Sequence, residues 1–458
     1  MALDYVIRAG QLVLPHGIVA ADIGIADGAI VAIEPDIGGA AREIIDATGL
    51  HVFPGVVDAH VHFNEPGRDS WEGAATGSAA LASGGGVCFC DMPLNASPPT
   101  LDGASFDLKR ASLEKASFVD FALWGGLCRE NLCHLDALAD RGVIGFKAFM
   151  CNSGIEDFPS IDDESLGRGM ESAARLRLPV AVHAEDEVLT SNLTLAAINE
   201  NRTSIRDFLA SRPIRAEVLA IERAISLAAE TGCSLHIVHV SSGDGARAVF
   251  EGRARGVDVT CETCPHYLTL TAADVERIGA AAKCCPPVRD ANEQDSLWAA
   301  LKNGGINFVA SDHSPAPWSL KESTNFFRVW GGIAGCQTTL GLLIEEGHGR
   351  RGIALSRLAD FTSRAPAARF GLAQKGRFEI GADADLALVD LATRWPLCTE
   401  ELRYRHQISP YTGLCQTGKV KMTLVRGRTV FANGQVTTTA AGRFVRPIRQ
   451  AAVKETAT

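Results

Sequence analysis

Residues 53–68, FPGVVDAHVHFNEPGR, join a short apolar run to two histidines and a turn. Residues two apart on a β-strand point to the same face, so His60 and His62 would project side by side where this strand ends. Pro66 and Gly67 then stop the strand. The spacing fits a pair of metal ligands, and it also fits two polar residues at the mouth of a loop. Only the rest of the chain distinguishes these interpretations.

Seven further apolar segments follow, most of them separated by stretches with the composition of helices. The eight segments are FPGVVDAHVH, GGVCFCDMP, FVDFALWGG, GVIGFKAFM, LPVAVHAED, SLHIVHVSS, GVDVTCETCP and INFVASDHSP. Nearly continuous runs of Val, Ile and Ala that alternate with helices are typical of a parallel sheet. Eight such units predict an α/β fold, a (β/α)8 barrel of the TIM type over residues 54–376.

The two ends of the chain have a different pattern, with short alternating segments and turns such as Asn433-Gly434. Alternation interrupted by Asp-Gly or Asn-Gly is typical of antiparallel strands and hairpins. We therefore expect a small β-sandwich domain built from both termini, residues 1–53 and 377–445, beside the barrel.

Composition excludes several classes of function. The 458 residues carry a net charge of −10, whereas nucleic-acid binding needs clustered Lys and Arg. The uncharged stretch 73–90 is rich in Gly, Ser and Thr, so no membrane span and no membrane partner are expected. The N-terminus lacks the pattern of a signal peptide. Thirteen scattered cysteines then favour reduced thiols and a cytoplasmic location.

Ionisable side chains gather at the ends of the predicted barrel strands. They are His60 and His62 on the first strand, Lys147 on the fourth, His183 on the fifth, His239 on the sixth and Asp312 on the eighth. The active site of such barrels lies at the carboxyl ends of the strands, so all six would converge on one mouth. Each alone could be an ordinary core or capping residue, but together they indicate a metal site.

The donor set also indicates which metals would bind. Imidazole and carboxylate ligands without a thiolate suit Zn, Co, Mn, Fe or Ni. Four histidines and an aspartate exceed what one catalytic zinc needs, so two divalent metals are expected. Two neighbouring cations need a bridging anion, which a carbamylated Lys147 would supply through two carboxylate oxygens.

The CETC segment at 261–264 suggests a zinc finger, but no second ligand pair follows at a suitable spacing, and small buried side chains explain it as well.

Six motifs carry a resemblance to a known family. They are HVH at 60–62, GFKAF at 145–149, VHAE at 182–185, HIVHVSS at 236–242, ETCPHYL at 262–268 and SDHSP at 311–315. Together they resemble the cyclic amidohydrolase branch of the amidohydrolase superfamily, which includes dihydroorotases, hydantoinases and allantoinases. The resemblance covers roughly residues 1–440. It implies that His60, His62, Lys147 and Asp312 bind one metal, and that Lys147, His183 and His239 bind the other, with Lys147 carboxylated.

Within this branch, four segments resemble the allantoinase pattern. They are DMPLNASPPT at 91–100, FMCNSGIEDFP at 149–159, KCCPPVRD at 283–290 and WGGIAGCQTTL at 330–340. Dihydroorotases have an arginine at the position of Asn64, and it grips a substrate carboxylate. The resemblance therefore implies a small neutral cyclic ureide that contacts Asn64, and metal-dependent hydrolysis of allantoin to allantoate in purine degradation. A hydantoinase-, dihydropyrimidinase- or dihydroorotase-like activity is the alternative, and a non-catalytic scaffold is a more distant one.

The resemblance also implies individual roles. Asp312 would be the catalytic residue, taking a proton from the nucleophile and passing it to the leaving ring nitrogen. Ser314 would contact the imide, and Cys284 and Gly331 would offer main-chain groups to the substrate. Asn95 could contact the substrate or could be a turn residue before the following proline pair. The habit of the family implies a homo-oligomer, either a dimer or a tetramer.

Overall fold

The computed structural model describes residues 3–436 and 439–448. The strands are β1 Leu3–Leu14, β2 Gly17–Ala26, β3 Ala29–Glu34, β4 Ala41–Asp46, β5 His51–Pro54, β6 Val56–Val61, β7 Gly86–Asp91, β8 Asp120–Leu123, β9 Gly125–Gly126, β10 Phe146–Phe149, β11 Val180–His183, β12 Leu235–Ile237, β13 Val259–Thr263, β14 Phe308–Val309, β15 Leu386–Pro396, β16 Cys415–Val425, β17 Arg428–Ala432 and β18 Gln435–Val436.

Helices connect most of the barrel strands. They are α1 Ala74–Ser83, α2 Gly103–Ala116, α3 Leu135–Arg141, α4 Asp163–Leu176, α5 Glu187–Asn199, α6 Ile205–Ser211, α7 Ile214–Thr231, α8 Gly243–Ala254, α9 Pro265–Thr269, α10 Ala272–Ile278, α11 Ala291–Lys302, α12 Thr339–Leu343, α13 Leu355–Ala359 and α14 Ala365–Arg369. Short 3₁₀ helices lie at Arg129–His134, Gly279–Ala282, Trp318–Leu320, Phe326–Arg328 and Thr399–Glu401, and π-helical turns lie at Ile344–Gly349 and Asp360–Arg364. Among the described residues, no helix is both long enough and apolar enough to cross a bilayer.

Parallel strands form a closed ring. Strands β6, β7 and β8 pair in that order, and β9, which continues β8 after one residue, begins the run β9-β10-β11-β12-β13-β14. A bridge between Val61 and His313 joins the two ends of the ring. Every residue of β6, β7, β8 and β11 is buried, which explains their nearly continuous apolar sequences. The predicted (β/α)8 barrel is confirmed.

Both termini contribute to a separate nine-stranded sheet. Its order is β18-β17-β16-β15-β5-β1-β2-β3, and β4 pairs with β1 as well. Strand β5 lies between β1 and β15, so N-terminal and C-terminal strands are hydrogen-bonded neighbours. The sheet has its own hydrophobic core, which includes Ile7, Leu12, Ile23, Ile25, Val52, Leu386, Leu388 and Leu424. The predicted β-sandwich built from both termini is confirmed.

The end of the described chain departs from the predicted domain boundary. Phe121 N donates to Arg443 O at 3.0 Å, and Val445 N donates to Phe121 O at 2.7 Å. Residues 443–445 therefore run beside β8 of the barrel and not within the sandwich, because an alternating pattern indicates a strand but not its partner. Apart from these three residues, the division into 1–53 with 377–445 and 54–376 stays a prediction.

A buried ion cluster connects the barrel to the sandwich. Lys375 Nζ lies 2.6 Å from Asp120 on β8, 2.8 Å from Asp383 and 2.7 Å from Asp385, just before β15. Arg426, which follows β16, also contacts Asp120. Burial by itself lowers the pKa of Lys375, but the carboxylates raise it above its usual value, so the ammonium stays charged.

Replacing Lys375 by Met should lower the free energy of unfolding by about 3–5 kcal/mol, because it leaves buried carboxylates uncompensated. Urea denaturation at neutral pH measures this loss. Lys419→Met is the matched control, since Lys419 forms a half-exposed ion pair with Glu401 at 3.1 Å, which should contribute less than about 1 kcal/mol. An equal decrease in the free energy of unfolding for the two variants would show that the buried ion cluster does not stabilise the contact between the barrel and the sandwich.

Candidate metal centre

The structure brings the six predicted ligands together at the carboxyl end of the barrel. His60, Lys147 and His183 lie at or near the ends of β6, β10 and β11, and His62, His239 and Asp312 lie just beyond β6, β12 and β14. All six are largely enclosed, since even the Asp312 side chain is only 13% exposed. Titratable groups are rarely buried to this degree unless they are paired or bind a metal. The neighbours of each side chain therefore indicate what the site can bind.

His60, His62 and Asp312 form the first group. The Nε2 atoms of both histidines point to one carboxylate oxygen, with His60 at 3.2 Å and His62 at 3.5 Å from Asp312 Oδ1. Ligand-type atoms of these three residues lie within 4.8 Å of one another. A single cation could contact all three.

His183 and His239 form the second group. Nδ1 of His183 faces Nε2 of His239 at 3.0 Å, and the His60 and His239 rings lie 5.5 Å apart, so the two groups are adjacent. Burial lowers the pKa of both His183 and His239, which favours the neutral form with one lone pair each. Two neutral nitrogens at this distance either share a proton or, as metal ligands, share a cation.

Lys147 contributes an amine that has no hydrogen-bond partner among the described residues and lies 5.0 Å from the centre of the Phe149 ring. It is fully buried, and its Nζ makes no hydrogen bond within the described part of the chain. Burial lowers the pKa of Lys147 to about 7, although Asp312 and Glu262 raise it. A large fraction of the amine is therefore neutral at physiological pH, which is the form that reacts with CO₂. The donor set and this orphaned amine fit a pair of metal ions with a carbamate between them.

Two buried glutamates, which the sequence did not single out as site residues, orient the histidines. Glu262 Oε1 on β13 lies 2.6 Å from His60 Nδ1, and Glu185 Oε2 lies 2.8 Å from His183 Nε2 and also contacts Arg212. In both cases the other ring nitrogen faces the centre, as in carboxylate–histidine–metal sites. Burial opposes ionisation, but the facing histidines, and Arg212 beside Glu185, lower the pKa of each carboxyl to about 2. The spacing of Glu185, two residues after His183, was the available signal.

Several of the predicted site residues have a left-handed backbone conformation. Among these residues, positive φ values occur at Asn64 (63°), Asn95 (67°), His239 (39°) and Asp312 (46°). Such conformations are costly and cluster at functional sites. They occur here just after strands, where the chain leaves the barrel.

A cavity of about 460 Å³ opens above the metal-ligand candidates. Its walls include five of the six candidates, all but Lys147, and four predicted substrate contacts: Asn95, Cys284, Ser314 and Gly331. Asn64 is buried and is not among the cavity-lining residues, and its Nδ2 donates to Pro315 O at 3.3 Å. Its amide thus belongs to the wall of the barrel, and the contact between Asn64 and the substrate stays a prediction.

The amidohydrolase family model matches residues 51–430, which include the barrel and part of the sandwich, from β5 to β17. The chain belongs to the amidohydrolase family. This amidohydrolase is similar to the allantoinase of Rubrobacter xylanophilus, at 55% identity over 98% of this chain and 99% of that one. It is also similar to the allantoinase of Solibacter usitatus, at 54% identity over 97% of both chains. Membership predicted from the six motifs is confirmed.

Solved structures of relatives have the same fold. The L-hydantoinase (dihydropyrimidinase) from Arthrobacter aurescens has a TM-score of 0.94 at 34% identity, covering 97% of this amidohydrolase and 100% of that chain. The dihydropyrimidinase from Brevibacillus agri has a TM-score of 0.91 at 31% identity, covering 98% and 99%. The likeness extends over both the barrel and the sandwich.

Replacing Glu262 by Gln should weaken Zn²⁺ binding by about 10–100-fold, because the orienting carboxylate at His60 is lost. Competition with a chromophoric chelator measures the affinity without any substrate. Glu222→Gln, on the exposed face of α7, is the control and should change the affinity by less than about twofold. An unaltered affinity in Glu262→Gln would refute the orienting role.

Proposed function

We propose that this amidohydrolase opens the ring of allantoin by hydrolysis of a cyclic amide bond, giving allantoate in purine degradation. The observation that carries the proposal is the identity of 54–55% to allantoinases over nearly the whole of both chains. The hydantoinase and dihydropyrimidinase structures share only 31–34% of their residues with this chain. A hydantoinase-like activity is therefore the second candidate, supported by the near identity of the folds.

Two divalent metal ions complete the proposed site, with zinc expected and Co, Mn, Fe or Ni compatible with the same donors. His60, His62 and Asp312 would hold one ion, His183 and His239 the other, and carboxylated Lys147 would contact both. The facing nitrogens and the orphaned Lys147 amine support this arrangement. Bound metals would polarise the amide carbonyl and supply a hydroxide nucleophile at neutral pH.

Asp312 is the proposed catalytic residue. Burial raises the pKa of Asp312, but the nearby His60 and the hydrogen bond with His62 lower it below its usual range, so the carboxylate is ionised before reaction. It can accept the proton released as water adds to the carbonyl carbon. It then donates that proton to the ring nitrogen as the C–N bond breaks, so that the ring opens without a nitrogen anion.

The cavity wall offers neutral hydrogen-bonding groups to the substrate. Asn95 Nδ2 donates to Ser314 Oγ at 3.4 Å, which leaves the hydroxyl hydrogen of Ser314 free to donate to a ring carbonyl. Cys284 and Gly331 would add main-chain contacts. Arg212 and Lys283 are enclosed cations of this wall, and their pairing with Glu185 and with main-chain carbonyls leaves both unsuited to a substrate carboxylate. This favours a neutral cyclic ureide over dihydroorotate.

We also propose a cytoplasmic location and a homo-oligomer, either a tetramer or a dimer. None of the thirteen cysteines, all of which lie in the described residues, forms a disulfide. Unpaired thiols in this number fit a reducing compartment.

Purified protein loaded with Zn²⁺ should hydrolyse allantoin with kcat/KM at least about tenfold above its values for hydantoin and dihydroorotate. Asp312→Asn should lower kcat for allantoin by about 10²–10⁴-fold, since the proton acceptor is lost. Its urea midpoint should match that of the parent. Preference for hydantoin would favour the second candidate, and no turnover of any ring by metal-loaded protein would indicate a non-catalytic scaffold.

Lys147→Ala should reduce the metal content from about two ions per chain to one or fewer, because the bridging carboxylate cannot form. Mass spectrometry of metals after dialysis measures the content. Lys302→Ala, at the exposed end of α11, is the control and should retain both ions. Two ions per chain in Lys147→Ala would eliminate the carbamate bridge.

A further inference from the structure

Two buried lysines outside the metal centre contact one wall of the substrate cavity. Residues 326–332, called the rim segment below, form this wall, and all but the first of them line the cavity. The segment contains Gly331, one of the proposed main-chain contacts. Neither lysine, Lys283 nor Lys321, has a part in the hydrolytic chemistry proposed above.

Lys283 binds the rim segment at two places. Its Nζ donates to Phe326 O at 2.6 Å and to Val329 O at 2.5 Å, with a longer contact of 3.5 Å to Phe327 O. Its own carbonyl accepts a hydrogen bond from Gly332 N at 2.8 Å. One residue therefore holds both the beginning and the end of the segment.

Lys321 binds the same segment as well. Its Nζ donates to Gly332 O at 2.9 Å and to Trp330 O at 3.2 Å. A third bond, of 3.3 Å, goes to Ala280 O in the 3₁₀ helix that precedes Lys283. The carbonyls on both sides of Gly331 are thus fixed, which determines the direction of its own peptide groups.

Among the described residues, no carboxylate is one of the charges that act on either ammonium group. The charged and titratable groups that act on Lys283 are Cys285 and Arg212, and those that act on Lys321 are Lys283 and Cys284. Burial lowers the pKa of each lysine to about 8. An ammonium group has three donors and no acceptor, so three carbonyls satisfy it completely. Buried cations without counter-ions are rare, so the hydrogen bonds to these carbonyls are the main polar contacts of both ammonium groups.

Aromatic rings provide the rest of the enclosure around Lys283. Its Nζ lies 4.5 Å from the centre of the Phe208 ring and 5.2 Å from that of Phe326. A cation over a ring face is stabilised by the ring quadrupole, so these contacts partly replace a counter-ion.

We propose that Lys283 and Lys321 are positioning residues that hold the rim segment in its substrate-binding conformation by fastening its main-chain carbonyls. Through these bonds they aim the peptide groups around Gly331 at the bound ring. They act on substrate affinity and not on the metals or on Asp312. The inference rests on the proposed function only for the choice of substrate.

The same arrangement makes substrate binding sensitive to alkali. Below a pH of about 8 each lysine offers three donors to three oxygens. Above it the neutral amine keeps two donors and turns a lone pair towards a carbonyl oxygen, which is repulsive. KM for allantoin should therefore rise as the pH increases through about 8, with a smaller change in kcat.

Steady-state kinetics of a neutral substitution test the positioning role. Lys283→Met keeps the length of the side chain but removes its donors, and it should raise KM by about tenfold with kcat within about twofold and the metal content unchanged. Lys283→Arg keeps a charge and several donors and should recover part of the affinity. Lys302→Met is the matched control. This exposed lysine donates one hydrogen bond to a main-chain carbonyl, Arg351 O, at 3.0 Å, and neither residue is among those that line the cavity, so KM should not change.

Amide hydrogen exchange without substrate separates this inference from the proposed function. Peptides covering 326–332 should exchange faster in Lys283→Met and in Lys321→Met than in the parent, while peptides from β6 and β11 keep their rates. The parent should show the same local loosening between pH 7 and about 9.5 after correction for intrinsic exchange, and this series needs no variant to fold. If the 326–332 amides exchange faster in the variants but the parent protein does not hydrolyse allantoin, the positioning role is supported and allantoin is not the substrate. Parent-like exchange in 326–332 in both variants, or a fall in kcat at constant KM, would overturn it.

Discussion

Lone pairs buried at the carboxyl end of the barrel are the constraint around which the rest of the molecule is arranged. His60 and His62 both direct Nε2 at one oxygen of Asp312, a second histidine pair faces nitrogen to nitrogen at 3.0 Å, and the Lys147 amine has no partner among the described residues. Burial lowers the pKa of His62, of the second pair and of the lysine, so the site presents neutral nitrogen donors. Only cations or shared protons satisfy such an array, which is why the site is best understood as a metal centre.

The fold brings these side chains together at one end of the barrel. Parallel strands whose residues are all buried bring their carboxyl ends to one mouth, and strained φ values at His239 and Asp312 turn two of the side chains inward. Outer groups then fix orientation: glutamates direct the imidazoles, and the lysines at the rim direct the cavity wall. The imidazoles are thus oriented by the glutamates within the barrel, and the wall of the substrate cavity is held by the lysines at the barrel mouth.

The barrel strands could be predicted from sequence because burial on both faces leaves nearly unbroken apolar runs, as in β6 and β11. The pairing of residues 443–445 with β8 could not, since an edge partner is chosen by tertiary contact. For the site, residue type and place at a strand end were enough to predict six residues that lie together. The position of Asn64 depended on a φ of 63°, which sends its amide to Pro315, and no sequence pattern specifies that angle. The contact of Glu262 with His60 could not be predicted either, because it depends on the direction in which the His60 ring points.

We propose that these donors hold two metal ions with the Lys147 carbamate between them. Anomalous X-ray diffraction at the zinc edge, on crystals of zinc-loaded protein, tests it most directly. We expect two peaks about 3.5–4 Å apart, one beside His60, His62 and Asp312 and the other beside His183 and His239, with planar density extending from Lys147 Nζ between them. A single peak, or a second one beside Cys151 and Glu185 on the far side of His183, would contradict it.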